Sequence, residues 1–241
     1  MYSRKVTRRI WFPLAVVSAV LLAPASAIAG QYARVSDERR TTYSASVEVA
    51  APVHAGPSFS AKKVGYLRPD TYHGRPEVVL VLGHRELDGR QWLRIRYAGL
   101  GPRVGWVKEN ALSPWWRLHR TLIVIDRARP ELRLLRKRKV VMRVPVGVGA
   151  GASPTPPGHY YIRERLALSS ITSIYGALAF GTSAFSRYRT DWPGGGQVGI
   201  HGTNQPELIP GHISNGCVRL RNDDVLDLGS QIDVGTPILI K

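Results

Sequence analysis

Short apolar runs, separated by glycine, proline and charged residues, make up most of the chain after residue 42. Between residues 43 and 113 they predict five strands, because each run has four to six residues and is bounded by turn-forming residues. The five runs are 47–51, 64–67, 78–82, 92–97 and 104–107. Five short strands in about 70 residues predict a small β-barrel.

The same pattern continues to the end of the chain. Residues 121–126, 131–135 and 140–146 predict a three-strand meander, with Lys137 and Arg138 near its second turn. Further strands are predicted at 159–163, 175–180, 198–201 and 236–240. One short helix is predicted after Asn222, which would cap its N-terminus. The predicted fold class is mainly β with short helices.

The first 29 residues have the pattern of a signal peptide. Basic residues precede an apolar run from Ile10 to Leu22, and Ala27-Ile28-Ala29 matches a cleavage site. The run is short for a membrane span, which needs about 20 apolar residues. We therefore expect cleavage before Gly30, export to the periplasm or cell wall, and no stable transmembrane span after processing. An uncleaved membrane anchor is the alternative.

The chain is strongly basic, with a formal net charge of +17. Removal of residues 1–29 takes away four basic residues and no acids, which leaves +13 on the expected mature chain. A positive charge of this size favours polyanionic surroundings. For an exported protein we expect the partners to be the anionic polymers of the cell envelope. We do not expect a nucleic-acid partner. The cations are densest from Arg117 to Arg143, where a merely solvated hairpin is the alternative interpretation.

Cys217 is the only cysteine among the 241 residues, and His201 precedes it with 15 residues between them. Reactivity would explain one unpaired thiol in an exported protein, with a buried inert thiol or an intermolecular disulfide as the alternatives. A nearby imidazole could take the thiol proton and hold a reactive ion pair. These two residues are therefore the candidate nucleophile and base.

The residues around the thiol suggest a substrate site. Alternate residues of an extended segment share a face, so Asn215, Cys217 and Arg219 are predicted to point together. Arg219 could bind a carboxylate or phosphate, or it could pair with a downstream aspartate. The backbone N–H groups of Gly216 and Cys217 could hold the oxyanion of a tetrahedral intermediate. His212, five residues before the cysteine, could line the same cleft.

Metal and cofactor chemistry is not expected. No pair of histidines has the spacing of a metal-ligand motif, and no two carboxylates are placed for glycosidase chemistry. The glycine- and proline-rich segment 147–158 lacks the Gly-Lys-Ser/Thr ending of a phosphate-binding loop.

A longer motif joins these residues. His201-Gly202, followed after a spacer by Ser214-Asn215-Gly216-Cys217-Val218-Arg219, resembles the signature of the YkuD-type L,D-transpeptidases. The segments Gly-Val-Gly, Ser-Pro-Thr-Pro-Pro-Gly and Tyr-Gly-Ala-Leu-Ala-Phe-Gly resemble the family's other segments, in the right order. The resemblance implies that Cys217 is the nucleophile, that His201 is the base and that the Gly202 carbonyl orients the base.

The resemblance also implies a substrate site at Ser214 and Asn215. Asn215 departs from the family pattern, because many members have a histidine at that position. An amide can still donate and accept hydrogen bonds, but it cannot titrate. The family's chemistry should therefore survive with His201 as the base.

By resemblance, the substrates are the stem peptides of peptidoglycan. Cys217 would attack the carbonyl of the L-centre of diaminopimelate in a donor tetrapeptide and expel D-alanine. Transfer of the acyl group to the side-chain amine of a second diaminopimelate would form a cross-link. Water as the acceptor would give an L,D-carboxypeptidase. A papain-like endopeptidase and a non-catalytic wall-binding protein are further alternatives.

The barrel region resembles a bacterial SH3-like domain, through Ala-Pro-Val-His-Ala-Gly-Pro-Ser and Trp-Leu-Arg-Ile-Arg. Such a domain would bind wall peptides or only position the enzyme. The predicted organisation is signal peptide 1–29, flexible leader 30–42, SH3-like domain 43–113, linker 114–118 and YkuD-type catalytic domain 119–241. Because the candidate catalytic residues all follow position 200, we expect the chemistry to be independent of the SH3-like domain.

Overall fold

A computed structural model describes residues 30–118, 120–167, 172–188 and 194–241 of the protein. The predicted signal peptide, residues 1–29, lies outside the described residues. In the described part, two sheets of strands are accompanied by one α-helix and two short 3-10 turns, which confirms the mainly β fold. No helix in these residues has both the length and the apolarity that crossing a membrane requires.

The N-terminal half supplies nine strands. They are β1 (Ala33–Arg34), β2 (Tyr43–Ser46), β3 (Ala51–His54), β4 (Lys63–Leu67), β5 (Val78–Leu87), β6 (Arg90–Tyr97), β7 (Gly99–Leu100), β8 (Arg103–Lys108) and β9 (Trp116–Arg117). Seven of them form one sheet in the order β4-β3-β8-β6-β5-β2-β9, and β1 also pairs with β5. A 3-10 turn, Glu109–Ala111, follows β8. The single strand predicted at 47–51 is wrong, because the chain there passes from β2 to β3.

Residues 30–42 were predicted to be a flexible leader, and the structure differs. β1 pairs with β5, and the buried Ser36 hydroxyl donates to the carbonyl of Val81. The guanidinium of Arg96 donates to both carboxylate oxygens of Glu38, at 2.8 and 2.9 Å. The charged composition of this segment concealed these contacts, because their partners lie far along the sequence.

The C-terminal half supplies ten strands and the helix. They are β10 (Thr121–Asp126), β11 (Glu131–Arg136), β12 (Lys139–Pro145), β13 (Gly147–Gly149), β14 (Gly158–Ala167), β15 (Leu178–Phe185), β16 (Gln197–His201), β17 (Gly211–Ser214), β18 (Val218–Arg219), α1 (Asn222–Gln231) and β19 (Pro237–Ile240). The strand order is β12-β11-β10-β19-β14-β15-β16-β18-β13-β17. The second 3-10 turn is Pro206–Leu208.

The predicted meander is present as β10, β11 and β12. In β11 the buried Leu132 and Leu134 alternate with more exposed residues, as expected for a strand with one face on the core. The β11–β12 turn has Lys137 at φ +50° and Arg138 at φ +72°. The hairpin therefore takes the left-handed turn that matches strand twist, although it lacks the usual Asn-Gly pair.

β5 serves two hydrophobic cores, which explains its unbroken apolar run. Val79 and Val81 belong to the core of the N-terminal sheet. Val78, Leu80 and Leu82, on the other face, pack with Leu118 and with Tyr161 of β14. The Tyr161 hydroxyl also donates to the carbonyl of Val78, at 2.9 Å. A strand that is buried on both faces has a continuous apolar sequence, whereas a strand with one exposed face alternates apolar and polar residues.

Other contacts join the two halves as well. β7 pairs in parallel with β15, with Gly99 opposite Ala184 and Leu100 opposite Phe185. The guanidinium of Arg163 on β14 binds the carboxylate of Glu77, and both side chains are largely buried. The two sheets therefore share backbone pairing, a hydrophobic core and a buried ion pair.

Candidate active site

Neighbouring strands bring the candidate base and nucleophile together. β16 ends with His201, and it pairs in parallel with β18, which begins directly after Cys217. Ile200 lies opposite Val218, and both are fully buried, so the central pair of this ladder is anchored in the core. Residues separated by a spacer in sequence thus become neighbours across one strand pair.

Cys217 directly follows a bend, which corrects the expectation of an extended segment. Asn215 and Gly216 form the bend, and Gly216 has φ +114°, a conformation that residues with a side chain rarely adopt. The Ser214 hydroxyl accepts from the N–H of Gly216 and donates to the carbonyl of Cys217. Ser214 therefore braces the cysteine turn through its hydroxyl.

A second loop holds this turn from the opposite side. The Ser153 hydroxyl donates to the carbonyl of Asn215 at 3.0 Å. The Thr155 hydroxyl donates to the carbonyl of Gly216 at 2.9 Å and accepts from the N–H of Gly149 at 2.8 Å. Both hydroxyl side chains are buried. Polar groups of the Ser-Pro-Thr-Pro-Pro-Gly segment thus fix the backbone that presents the thiol.

The imidazole of His201 has one defined tautomer. Its Nδ1 lies 2.6 Å from the carbonyl oxygen of Gly202, and because a carbonyl can only accept, Nδ1 carries the hydrogen. Nε2 is therefore free to accept a proton. The edge-on ring of Tyr175, with its centroid 5.1 Å away, packs against the imidazole. Burial lowers the pKa of His201 to about 4, and the charge of Arg219 acts in the same direction.

Cys217 is half-buried as a residue, and its sulfur accepts a hydrogen bond from the backbone N–H of Gly199, with nitrogen and sulfur 3.3 Å apart. Burial of its surroundings raises the thiol pKa, while this hydrogen bond and the charge of Arg219 oppose the rise. The two shifts favour a neutral thiol beside a neutral imidazole at rest. Both shifts oppose the ion pair that the sequence suggested, because charging both groups in a poorly hydrated site costs free energy.

Two cavities meet at this pair. The first, of about 70 Å³, is lined by Arg219 and Asn215. The second, of about 360 Å³, extends past Phe180 to His73 of the N-terminal half. Cys217 and His201 line both cavities, so each cavity borders the candidate nucleophile and base.

Two of the other predicted site residues, Asn215 and Arg219, lie beside the thiol. Asn215 and Arg219 line the first cavity together with Cys217, as predicted, although a bend rather than a straight strand brings them together. Within the described residues Arg219 forms no ion pair with a downstream aspartate, and its buried Nε has no hydrogen-bond partner. The guanidinium is therefore available to a ligand.

Three expectations are not met. His212 is exposed, with Nδ1 3.4 Å from the carbonyl of Gly149, and it lines neither cavity, because β17 turns its side chain away from the thiol. The N–H of Gly216 already donates to Ser214, so it is occupied as an oxyanion donor. Asn222 is the first residue of α1 rather than its cap, and its side chain binds the N–H of Ala177 and the carbonyl of Thr203.

Sequence reasoning missed Gly199, Tyr175 and His73. Gly199 lies two residues before His201 on the same strand, so the shared face of alternate residues could have indicated it. Tyr175 opens the Tyr-Gly-Ala-Leu-Ala-Phe-Gly segment, whose resemblance to a family segment could have indicated it. His73 approaches the site only through tertiary packing, and no local pattern indicates it. No group of three or more potential metal ligands lies together in the described part of the chain.

Comparison with known proteins extends these observations. The chain is 31% identical to Bacillus subtilis YqjB over 145 residues, which cover 54% of this chain and 79% of YqjB. It is 33% identical to Bacillus licheniformis YkuD over 109 residues, or 45% of this chain and 58% of that protein. Both proteins carry names that assign them to the L,D-transpeptidases. The structure of Bdellovibrio bacteriovorus Bd1075 matches at 29% identity and a TM-score of 0.40, over 51% of this chain and 48% of that one.

The family model of the YkuD L,D-transpeptidase catalytic domain matches residues 120–240, half of the chain. This range includes both strands of the site, the Ser153–Thr155 loop and the Gly202 carbonyl. The chain therefore belongs to the YkuD family of L,D-transpeptidases.

Proposed function

We propose that this protein is an exported L,D-transpeptidase that cross-links peptidoglycan stem peptides through a thioester on Cys217. The observation that carries the proposal is that Cys217 and a buried imidazole, whose tautomer leaves Nε2 free, line the same two cavities. Membership of the family gives the reaction class, because L,D-transpeptidases act on peptidoglycan stem peptides.

Acylation would begin when a donor carbonyl reaches the sulfur. The thiol proton passes to Nε2 of His201 as the bond from Sγ to the carbonyl carbon forms. The N–H of Gly199, directed at the sulfur, stabilises the negative charge that develops there. Collapse of the tetrahedral intermediate breaks the bond to D-alanine, whose nitrogen takes the proton from His201. The Gly202 carbonyl stabilises the transient imidazolium.

The oxyanion needs a donor that the resting fold has not already used. The N–H of Gly216 donates to the Ser214 hydroxyl, which leaves the N–H of Cys217 itself as the proposed donor. Arg219, with its unpartnered Nε, would bind a carboxylate of the donor peptide. The first cavity would then receive that carboxylate.

Transfer would reverse the proton movements. The acceptor amine attacks the thioester carbonyl, a C–N bond forms, the C–S bond breaks, and the amine proton returns to sulfur through His201. With water in place of the amine the same acyl-enzyme would give the L,D-carboxypeptidase outcome. The presence of two cavities at one thiol supports a second substrate over water.

The charge distribution supports binding to anionic wall polymers. A cavity of about 650 Å³ is lined by four cations, Arg117, Arg120, Arg136 and Lys137. Arg117 belongs to β9 and the other three cations to the catalytic half, and all four lie in the most basic part of the sequence. Export by way of residues 1–29, residence in the periplasm or cell wall, and wall binding by the SH3-like region belong to the same proposal.

The deciding experiment incubates the purified protein with disaccharide tetrapeptides and follows the products by mass spectrometry. Loss of D-alanine together with dimer formation supports transpeptidation, and loss of D-alanine without dimers supports the carboxypeptidase. Cys217→Ala is the matched control. Products formed equally by that variant would remove Cys217 from the mechanism. The absence of any D-alanine release by the wild-type protein would favour a non-catalytic wall-binding protein.

A further inference from the structure

One loop of the N-terminal sheet reaches the active-site cavity. Residues 70–76, here called the His73 loop, form a tight turn closed by a backbone bond from Thr71 N–H to the Arg75 carbonyl at 2.8 Å. An isolated β-bridge between Asp70 and Pro76 closes its base. His73 lines the second cavity together with Cys217 and His201. The cavity wall is therefore made by both halves of the chain.

A buried carboxylate of the catalytic half holds this loop. Glu164 of β14 has a fully buried side chain, and it accepts from the Thr71 hydroxyl at 2.7 Å. Its other oxygen lies 3.1 Å from Nδ1 of His73. Because a carboxylate oxygen of Glu164 accepts this bond, Nδ1 of His73 carries the hydrogen. The Nε2 atom of His73 is not bonded to Glu164. About a third of the His73 side chain remains exposed, so the ring is accessible.

The two cavities differ in charge. The first contains the guanidinium of Arg219, which suits a carboxylate. None of the described residues that line the second is a lysine or an arginine. Its polar groups include the imidazole of His73, backed by the Glu164 carboxylate, and the side chain of Gln197. Such a wall suits an amine, which needs hydrogen-bond acceptors and no competing cation.

We propose that His73 positions the amine of the acceptor stem peptide in the second cavity, through a hydrogen bond from that amine to Nε2. Glu164 fixes the ring orientation, and the rigid loop fixes its distance from the thioester. This inference rests on the proposed transpeptidase function and adds a substrate contact supplied by the N-terminal half. It also implies that the chemistry depends on that half, contrary to the expectation from sequence.

The test separates the two half-reactions in the full-length protein. Donor tetrapeptide alone reports acylation through the rate of D-alanine release, and increasing concentrations of an acceptor muropeptide report transfer through dimer yield. His73→Phe keeps a ring but removes Nε2. We expect its acylation rate to stay within about twofold of wild type, and its acceptor kcat/KM to fall about ten- to a hundredfold, as for a lost hydrogen bond to a charged group.

Two further variants make the result specific. His73→Gln places an amide oxygen near the position of Nε2 and should restore part of the transfer. His212→Phe, at an exposed histidine that lines neither cavity, should leave both half-reactions unchanged. Thermal unfolding of each variant checks the fold.

The outcomes are distinguishable. Normal transfer by a folded His73→Phe variant would overturn the inference and leave the transpeptidase proposal intact. An equal loss of acylation and transfer would also overturn it, because it would show that His73 supports the site generally. Failure of the wild-type protein to release D-alanine would refute the proposed function itself.

Discussion

Replacement of His201 by glutamine should remove part of the protein's sensitivity to acid. The imidazole is 4% exposed, and burial lowers its pKa from the ordinary value of 6.5 to about 4. Between these values the unfolded chain binds a proton that the folded chain does not. The stability associated with neutral His201 is therefore fully present above pH 6.5 and is lost as the pH falls towards 4.

The size of the effect follows from the shift. One pKa unit corresponds to about 1.4 kcal/mol, so the wild-type protein should lose about 2 kcal/mol between pH 7 and pH 5 through this group alone. The loss should approach about 3 kcal/mol at pH 4. His201→Gln lacks the titrating group, and the other ionisable groups remain common to both proteins.

The assay is urea unfolding followed by tryptophan fluorescence, at pH 7 and pH 5. The free energy of unfolding of the wild-type protein should fall about 2 kcal/mol further than that of His201→Gln. His212→Gln, which alters an exposed histidine, should track the wild type. Equal losses in wild type and His201→Gln would refute the reasoning, because they would show that the folded imidazole titrates like an unfolded one.

Three further predictions concern the thiol, its supporting loop and the N-terminal half. Cys217→Ser should abolish D-alanine release without altering circular dichroism, since an alcohol is a poor nucleophile in this site; activity within about tenfold of wild type would exclude the thiol mechanism. Thr155→Val should lower the unfolding free energy by about 2–4 kcal/mol and slow acylation, because it orphans the buried N–H of Gly149 and carbonyl of Gly216. An unchanged melting temperature would contradict this role. Deletion of residues 30–113 should destabilise the catalytic sheet, because it removes the partners of two buried β14 charges and the β7 strand. A truncated protein with wild-type melting temperature and acylation rate would show that the halves are independent.

Local sequence pattern determined the elements and the chemistry that lies close together in sequence. Alternating leucines predicted β11, and turn-forming glycines separated the strands correctly in most places. The segment containing Cys217, together with His201, identified the family, because Ser214 and Gly216, which shape the nucleophile turn from within, adjoin the cysteine in the chain. The boundaries 43–113 and 119–241, the SH3-like assignment and the catalytic roles remain predictions.

Tertiary structure decided what distant segments do to one another. The apolar run of β5 predicts a strand and nothing more. Only the fold shows that one face of this strand packs on the catalytic half. The charge state of His201 and Cys217 depends on burial, which no motif specifies. His73 lies far upstream of both, and it enters their cavity because Glu164 and Thr71 join two sheets. A sequence pattern predicts local backbone structure, because it depends on residues that are close in the chain. Cavities and pKa values depend on packing between residues that are far apart in the chain.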